Sequence, residues 1–325
     1  MLSELPIGEL FILGFDNSRI DVIEDFHARF GLGGVILFSR NIESSQKVVE
    51  LTKSLRDRTE PTLLVAIDQE GGRVCRIADS EFPVFPSPSY YGHRGDLEGA
   101  RNAARVTAKM LRQLGINLNL NPVADVLVDP ESTLLRDRAY SSITSDVCEY
   151  VRAVVEEQTV ERVASCAKHF PGLGGSSIDP HQKMASSNRS AEFYRERLLP
   201  PFKAAMSTGC AAIMTTHIVV PSLDEARPTT FSSSIVSGVL RKELDFEGVI
   251  LSDDLDMGAV MSENEAVKMA LQAGHDMVLI CHSIDKQIAC AEMVAKAATD
   301  GSLNPVEIAA SVQRVMALKR GFARA

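Results

Sequence analysis

Three short stretches hold most of the residues able to do chemistry. The first is Asp68-Gln69-Glu70-Gly71-Gly72-Arg73-Val74-Cys75-Arg76, a carboxylate ahead of a two-glycine turn with an arginine behind it. In that order Asp68 can accept two hydroxyl hydrogen bonds from a polyol while Arg76 closes from the side, although a plain loop ion pair would use the same residues. In the second stretch Lys168-His169 ends an apolar run, and a glycine-rich segment then presents Asp179-x-His181. An Asp two residues from a His can bond one ring nitrogen, fix the tautomer and raise the imidazole pKa, which makes a general acid/base; an ordinary surface pair has the same spacing. The third stretch, 248–257, sets Asp253 directly after an apolar run. A carboxylate held over rigid backbone can attack an anomeric carbon, ligate a metal, cap a helix or partner an arginine. Asp254 and Asp256 behind it read as acids at a helix start, facing its positive dipole end.

These stretches need a scaffold that gathers them. Apolar runs at 9–15, 34–38, 63–67, 117–123, 164–169, 211–216, 248–251 and 277–281 read as strands. Between them, 98–114, 146–163, 191–208 and 263–273 carry apolar residues at three- and four-residue spacing and read as amphipathic helices, with a closing helix at 304–319. Asp146 and Ser190 stand where N-caps belong, and Gly115, Gly209 and Gly274 just past helix ends. Eight buried strands alternating with helices predict a (β/α)8 TIM barrel, read as a single domain over 1–325. An open doubly wound sheet would want a glycine-rich phosphate loop after an early strand, and neither GxGxxG there nor GxxxxGK[ST] anywhere is present. In such barrels chemistry sits past the carboxyl ends of the strands. There the chain has Arg40 and Asn41, Asp68, Asp125, Lys168 and His169, His217, Asp253 and His282.

Composition narrows the classes. The 325 residues carry a formal charge of −9, with 45% hydrophobic and 24% charged residues, which excludes a disordered chain and a collagen-like repeat. The acidic balance and the lack of any Lys/Arg run argue against a nucleic-acid binder. No apolar stretch reaches membrane-spanning length, and the amino terminus has no basic region followed by an apolar one, so neither membrane nor secretion is expected. Six cysteines without a CxxC pair read as reduced thiols of a cytoplasmic protein. With no Trp in the chain, any sugar platform must use Phe, Tyr or hydrogen bonds. Phe15-Asp16-Asn17 stands where metal-dependent barrel hydrolases carry HxH, and no HExxH occurs, so no metal and no cofactor is expected.

The motifs Asp68-Gln69-Glu70-Gly71-Gly72-Arg73-Val74, Lys168-His169-Phe170-Pro171-Gly172 with Asp179-x-His181, and Ser252-Asp253-Asp254-Leu255 together resemble glycoside hydrolase family 3, above all its bacterial β-N-acetylglucosaminidases. Gly34–Asn41 and the stretch around Pro228 and Phe231 fit as well. The resemblance implies that Asp253 is the nucleophile, His181 the acid/base and Asp179 its partner. It assigns sugar contacts to Asp68, Arg76, Arg138, Lys168 and His169. It further implies the single-barrel form, a small carbohydrate or muropeptide as substrate, and a cytoplasmic role in cell-wall recycling. The chain departs from the pattern at Leu173, Gly175 and Pro180, where the usual residues are a second His, an acid and Ser. A family 3 phosphorylase, a β-glucosidase or β-xylosidase, and a non-catalytic sugar-binding barrel stand as the competing readings.

Overall fold

All eight apolar runs become strands, in a computed structural model that describes residues 5–60, 62–78, 82–175, 185–225, 227–256 and 263–323. They are β1 (Phe11–Gly14), β2 (Gly34–Leu37), β3 (Leu64–Ile67), β4 (Leu118–Asn119), β5 (Ala164–Phe170), β6 (Ala212–Thr215), β7 (Val249–Asp254) and β8 (Met277–Ile280). Among the described residues these eight strands pair in parallel and in sequence order, and β8 returns to β1 to close the barrel. The fold is a (β/α)8 TIM barrel.

The two-residue period of each strand sorts its side chains. Leu64 and Ala66, Ala164 and Cys166, Val249 and Leu251, and Met277, Leu279 and Cys281 point inward and share one core inside the barrel. The alternate residues, such as Val65, Ile67, Val278 and Ile280, face the helices instead. Val315 and Leu318 of the closing helix Pro305–Phe322 join the interior cluster. That helix is held at the amino end of β8, where the buried Asp276 carboxylate accepts hydrogen bonds from Ser311, Arg314, Arg241 and the Ile250 amide. Burial of each large side chain contributes about 1.5–3 kcal/mol, so the inward rows anchor the strand register on which the site depends.

Several boundaries differ from expectation for local reasons. The first strand starts at Phe11, because Ile7–Leu10 forms a 3-10 turn in which Glu9 meets Lys319. β4 is short: the Asn117 and Asn119 side chains bond the backbones of Leu63, Val65 and Gln69, doing by side chain what a longer ladder would do. Asp146 is not an N-cap. The helix Thr144–Val160 begins earlier, after Ile143, and Asp146 lies in its first turn, accepting from Ser141. Ser190 does cap its helix, accepting from the Phe193 amide, but the helix passes through a wider turn at Tyr194–Leu198 before Pro200-Pro201 restarts it. Proline lacks the amide that an unbroken ladder needs.

His275, fully buried ahead of β8, gives the barrel a pH response. Its Nδ1–H donates to the Ala270 carbonyl and its Nε2 accepts from the Thr215 hydroxyl, a pairing that fits the neutral ring. Burial pushes its pKa down from 6.5 to about 4. The unfolded chain therefore takes up a proton below about pH 6.5 that the fold refuses until about pH 4, and stability falls as pH drops through that window. Denaturant unfolding at pH 7.5 and pH 5 should show His275→Gln losing roughly 2 kcal/mol less than the natural protein between the two.

Candidate active site

Two residues beyond the last apolar inward residue of β3, β5 and β7 come Asp68, Lys168 and Asp253, and the three converge in a layer at the barrel mouth, Lys168 by its contact with Asp68 and Asp253 by its action, with Asp68, on two inward thiols. The thiols of Cys166 and Cys281, just below, report the same convergence. Burial first, and then neighbouring charges that include both Asp68 and Asp253, push these thiols up.

Around that layer the charges interlock. Lys168, 2% exposed, places Nζ 2.6 Å from Asp68 Oδ1 and 2.7 Å from Glu70 Oε1. Arg138 donates through Nε and one terminal nitrogen to the two oxygens of Glu70, at 2.8 and 2.7 Å, a bidentate pair. Arg76 donates to the other oxygen of Asp68 at 3.0 Å. Burial alone would raise the Glu70 carboxyl; Lys168 and Arg138 overcome it and hold the group well below the usual range. The same contest, with Lys168 and Arg76 as the cations, lowers Asp68. The hairpin of Gln69–Gly71 and Val74–Cys75 makes this possible, since Gly71 and Gly72 turn at φ +102° and +58°, where a β-carbon is strained. Glu70 was not among the residues singled out from the sequence. Its signal was the i, i+2 spacing from Asp68, which puts both carboxylates on one side of an extended segment.

His169 joins from the other side. The β5–β6 register shifts between Ala167 and Phe170, and the imidazole then lies between Arg138, at 3.3 Å from Nε2, and Asp125, at 2.8 Å from Nδ1. Leu173 is buried against Leu135 and Ala139. Asp68, Arg76, Arg138, Lys168 and His169 are thus one connected group. Asp179 and His181 lie outside the described residues.

Asp253 is half-buried, and its Oδ1 accepts the Asp254 amide at 2.9 Å. Beside it, His217 Nε2–H donates to the Asp254 carbonyl. Asp254 and Asp256 are not helix-start acids. The strand runs on through Asp254, and Asp256 Oδ2 accepts the Cys281 and His282 amides, tying β7 to the end of β8. Burial, with Asp256 and Asp253 nearby, raises the Asp254 carboxyl. Asp254, Asp256 and His282 bring ligand atoms within 4.8 Å of one another. They already face partners, with His282 Nδ1 at 3.4 and 3.6 Å from the two acids and Lys286 at 4.0 Å from Asp256.

The fold is a (β/α)8 barrel with a carboxylate standing on β7 and a buried lattice of acids and cations at β3 and β5. The chain belongs to glycosyl hydrolase family 3: the sequence profile of the Glycosyl hydrolase family 3 N terminal domain matches residues 6–318. Among its curated relatives is a protein named beta-hexosaminidase from Nitrosomonas eutropha, 37% identical over 78% of this chain and 75% of that one. Among solved structures, a family 3 β-N-acetylglucosaminidase from Paenibacillus sp. str. FPU-7 superposes with a TM-score of 0.94 at 31% identity, covering 98% of this chain and 62% of that one. A β-N-acetylhexosaminidase from Beutenbergia cavernae matches with a TM-score of 0.88 at 26% identity over 98% of both chains. The chain spans only 40% of a fungal multi-domain family 3 β-N-acetylglucosaminidase that it also resembles. No helix among the described residues is long and apolar enough to cross a membrane.

Proposed function

We propose that this protein is a retaining exo-β-N-acetylglucosaminidase that removes terminal N-acetylglucosamine from anhydro-muropeptides in the cytoplasm. What supports the reading is that Asp253 and Asp68 both act on the inward thiols of Cys166 and Cys281, with Lys168 and Arg76 joined to Asp68 and, through Glu70, Arg138 and His169. The names of the curated and structural relatives support the sugar, and six cysteines free of disulfides agree with a reducing compartment.

In this mechanism an Asp253 oxygen attacks the anomeric carbon as the bond to the leaving oxygen breaks, and protonated His181 donates its proton to that oxygen. Neutral His181 then takes a proton from water, which opens the glycosyl ester and frees the sugar. Asp179 supports the imidazolium. Asp68, Arg76, Arg138, Lys168 and His169 hold ring hydroxyls, so their contribution is orientation and hydrogen bonds that tighten in the transition state.

A 5-fluoro N-acetylglucosaminyl donor tests the reading directly. It should inactivate the enzyme, and peptide mapping should find the sugar on the peptide containing Asp253; an adduct elsewhere, or hydrolysis with an inverted first product, overturns it. His181→Ala should lose about 100-fold more rate on a poor alkyl leaving group than on a nitrophenol, which needs no proton. Equal losses on both substrates would remove the acid role.

A further inference from the structure

Asp125, placed after β4 and wholly buried, is used three times over. One carboxylate oxygen accepts the backbone amide of His169 at 3.1 Å and lies 2.8 Å from its Nδ1; the other accepts the Leu173 amide at 2.6 Å. An ionised carboxylate can only accept, so the Nδ1 contact requires a proton on Nδ1. At the far side of the ring the neighbour of Nε2 is a guanidinium nitrogen of Arg138, which can only donate, so Nε2 must present its lone pair. The two flanks independently demand the same neutral tautomer. An imidazolium would turn a second N–H toward a cation already committed to Glu70.

We propose that Asp125 is a positioning residue of the sugar site: it locks His169 in the Nδ1–H tautomer, so that Nε2 accepts from Arg138 and holds that guanidinium in place for the sugar. This rests on the functional reading above, in which Arg138 touches the sugar. Asp125 acts through His169 and touches no substrate. Its second oxygen fixes the backbone at Leu173, whose side chain is packed on Leu135 and Ala139, so the ring's backbone has no freedom to swing away. The surrounding acids and cations fit this division. Lys168, Arg76 and Arg138 supply donors, Asp68 and Glu70 are engaged as acceptors of those cations, and a neutral His169 gives Arg138 a further acceptor without adding charge.

The test begins with the natural protein labelled with 15N in its histidine rings, the His169 signals being those that vanish in His169→Gln. At pH 8 they should show a protonated Nδ1 and an unprotonated Nε2; the reverse pattern, or both nitrogens protonated, overturns the proposal whether or not any variant folds. Asp125→Asn should then lose the single-tautomer signature and raise KM for an aryl N-acetylglucosaminide about tenfold with kcat within about threefold. In a His169→Gln background the same change should leave KM within about twofold. A variant that keeps KM, or loses kcat alone, overturns the positioning role. If the natural enzyme turns over no N-acetylglucosaminide while the ring pattern is as expected, the functional reading fails and the tautomer assignment stands.

Discussion

Asp253→Ala is expected to lower kcat on a nitrophenyl N-acetyl-β-glucosaminide by about 10⁴-fold, because in the proposed mechanism it removes the atom that forms the covalent intermediate. The geometry around Asp253 explains why no neighbour can replace it. Its position is set by β7, whose Val249 and Leu251 are packed in the barrel interior below it. Its Oδ1 is held by the Asp254 amide, and among the described residues Oδ2 has no hydrogen-bond partner, which leaves that oxygen for the reaction. The Asp254 carboxyl is engaged by the Asp256 amide and the Cys281 thiol, so it is held away from that role. The variant should fold, since a half-buried side chain with one local hydrogen bond is lost. Added azide should restore turnover of the nitrophenyl substrate by entering the space left by the carboxylate, with glycosyl azide as the product. Ordinary turnover by Asp253→Ala would sink the nucleophile assignment.

The second large effect falls on stability. Glu70→Ala should cost about 3–5 kcal/mol, because it leaves Lys168 and Arg138 buried without their shared carboxylate. Arg138 loses both arms of a bidentate pair, and Lys168 keeps only Asp68, which it must share with Arg76. Both carboxyls are depressed in the fold, so their contribution is fully present at neutral pH, above the unfolded carboxylate values near 4–4.5. It is lost as pH falls below them. The gap between natural protein and Glu70→Ala in denaturant midpoint should therefore be widest near pH 7 and narrow progressively below about pH 4.5. A gap that stays constant with pH would show that the carboxylate's charge contributes nothing.

Much of the scaffold was legible because it is written in local periods. Each barrel strand is a run of apolar residues only a few long, and each helix an amphipathic stripe, so neighbours in the chain suffice to define them. The same locality made Asp68, Lys168 and Asp253 readable as strand-end residues, since each closes or directly follows an apolar run. Where local rules compete, reading failed: Asp146 has the chemistry of a cap, but the helix begins before it, at Thr144. Asp254 and Asp256 have the chemistry of helix-start acids, but β7 runs on and the β8 backbone claims Asp256.

The sequence alone determined the (β/α)8 barrel, the strand ends where the chemistry gathers, and a covalent carboxylate on the seventh strand as the reaction to test. Only the tertiary structure decided that Glu70 is the hub joining Lys168 to Arg138 and that Asp125 clamps His169. Their partners lie 68 and 44 residues away in the chain. No short-range pattern encodes such pairings. They follow from barrel closure and strand register, which bring distant polar side chains into a dry layer where each must find a counter-charge or a hydrogen bond.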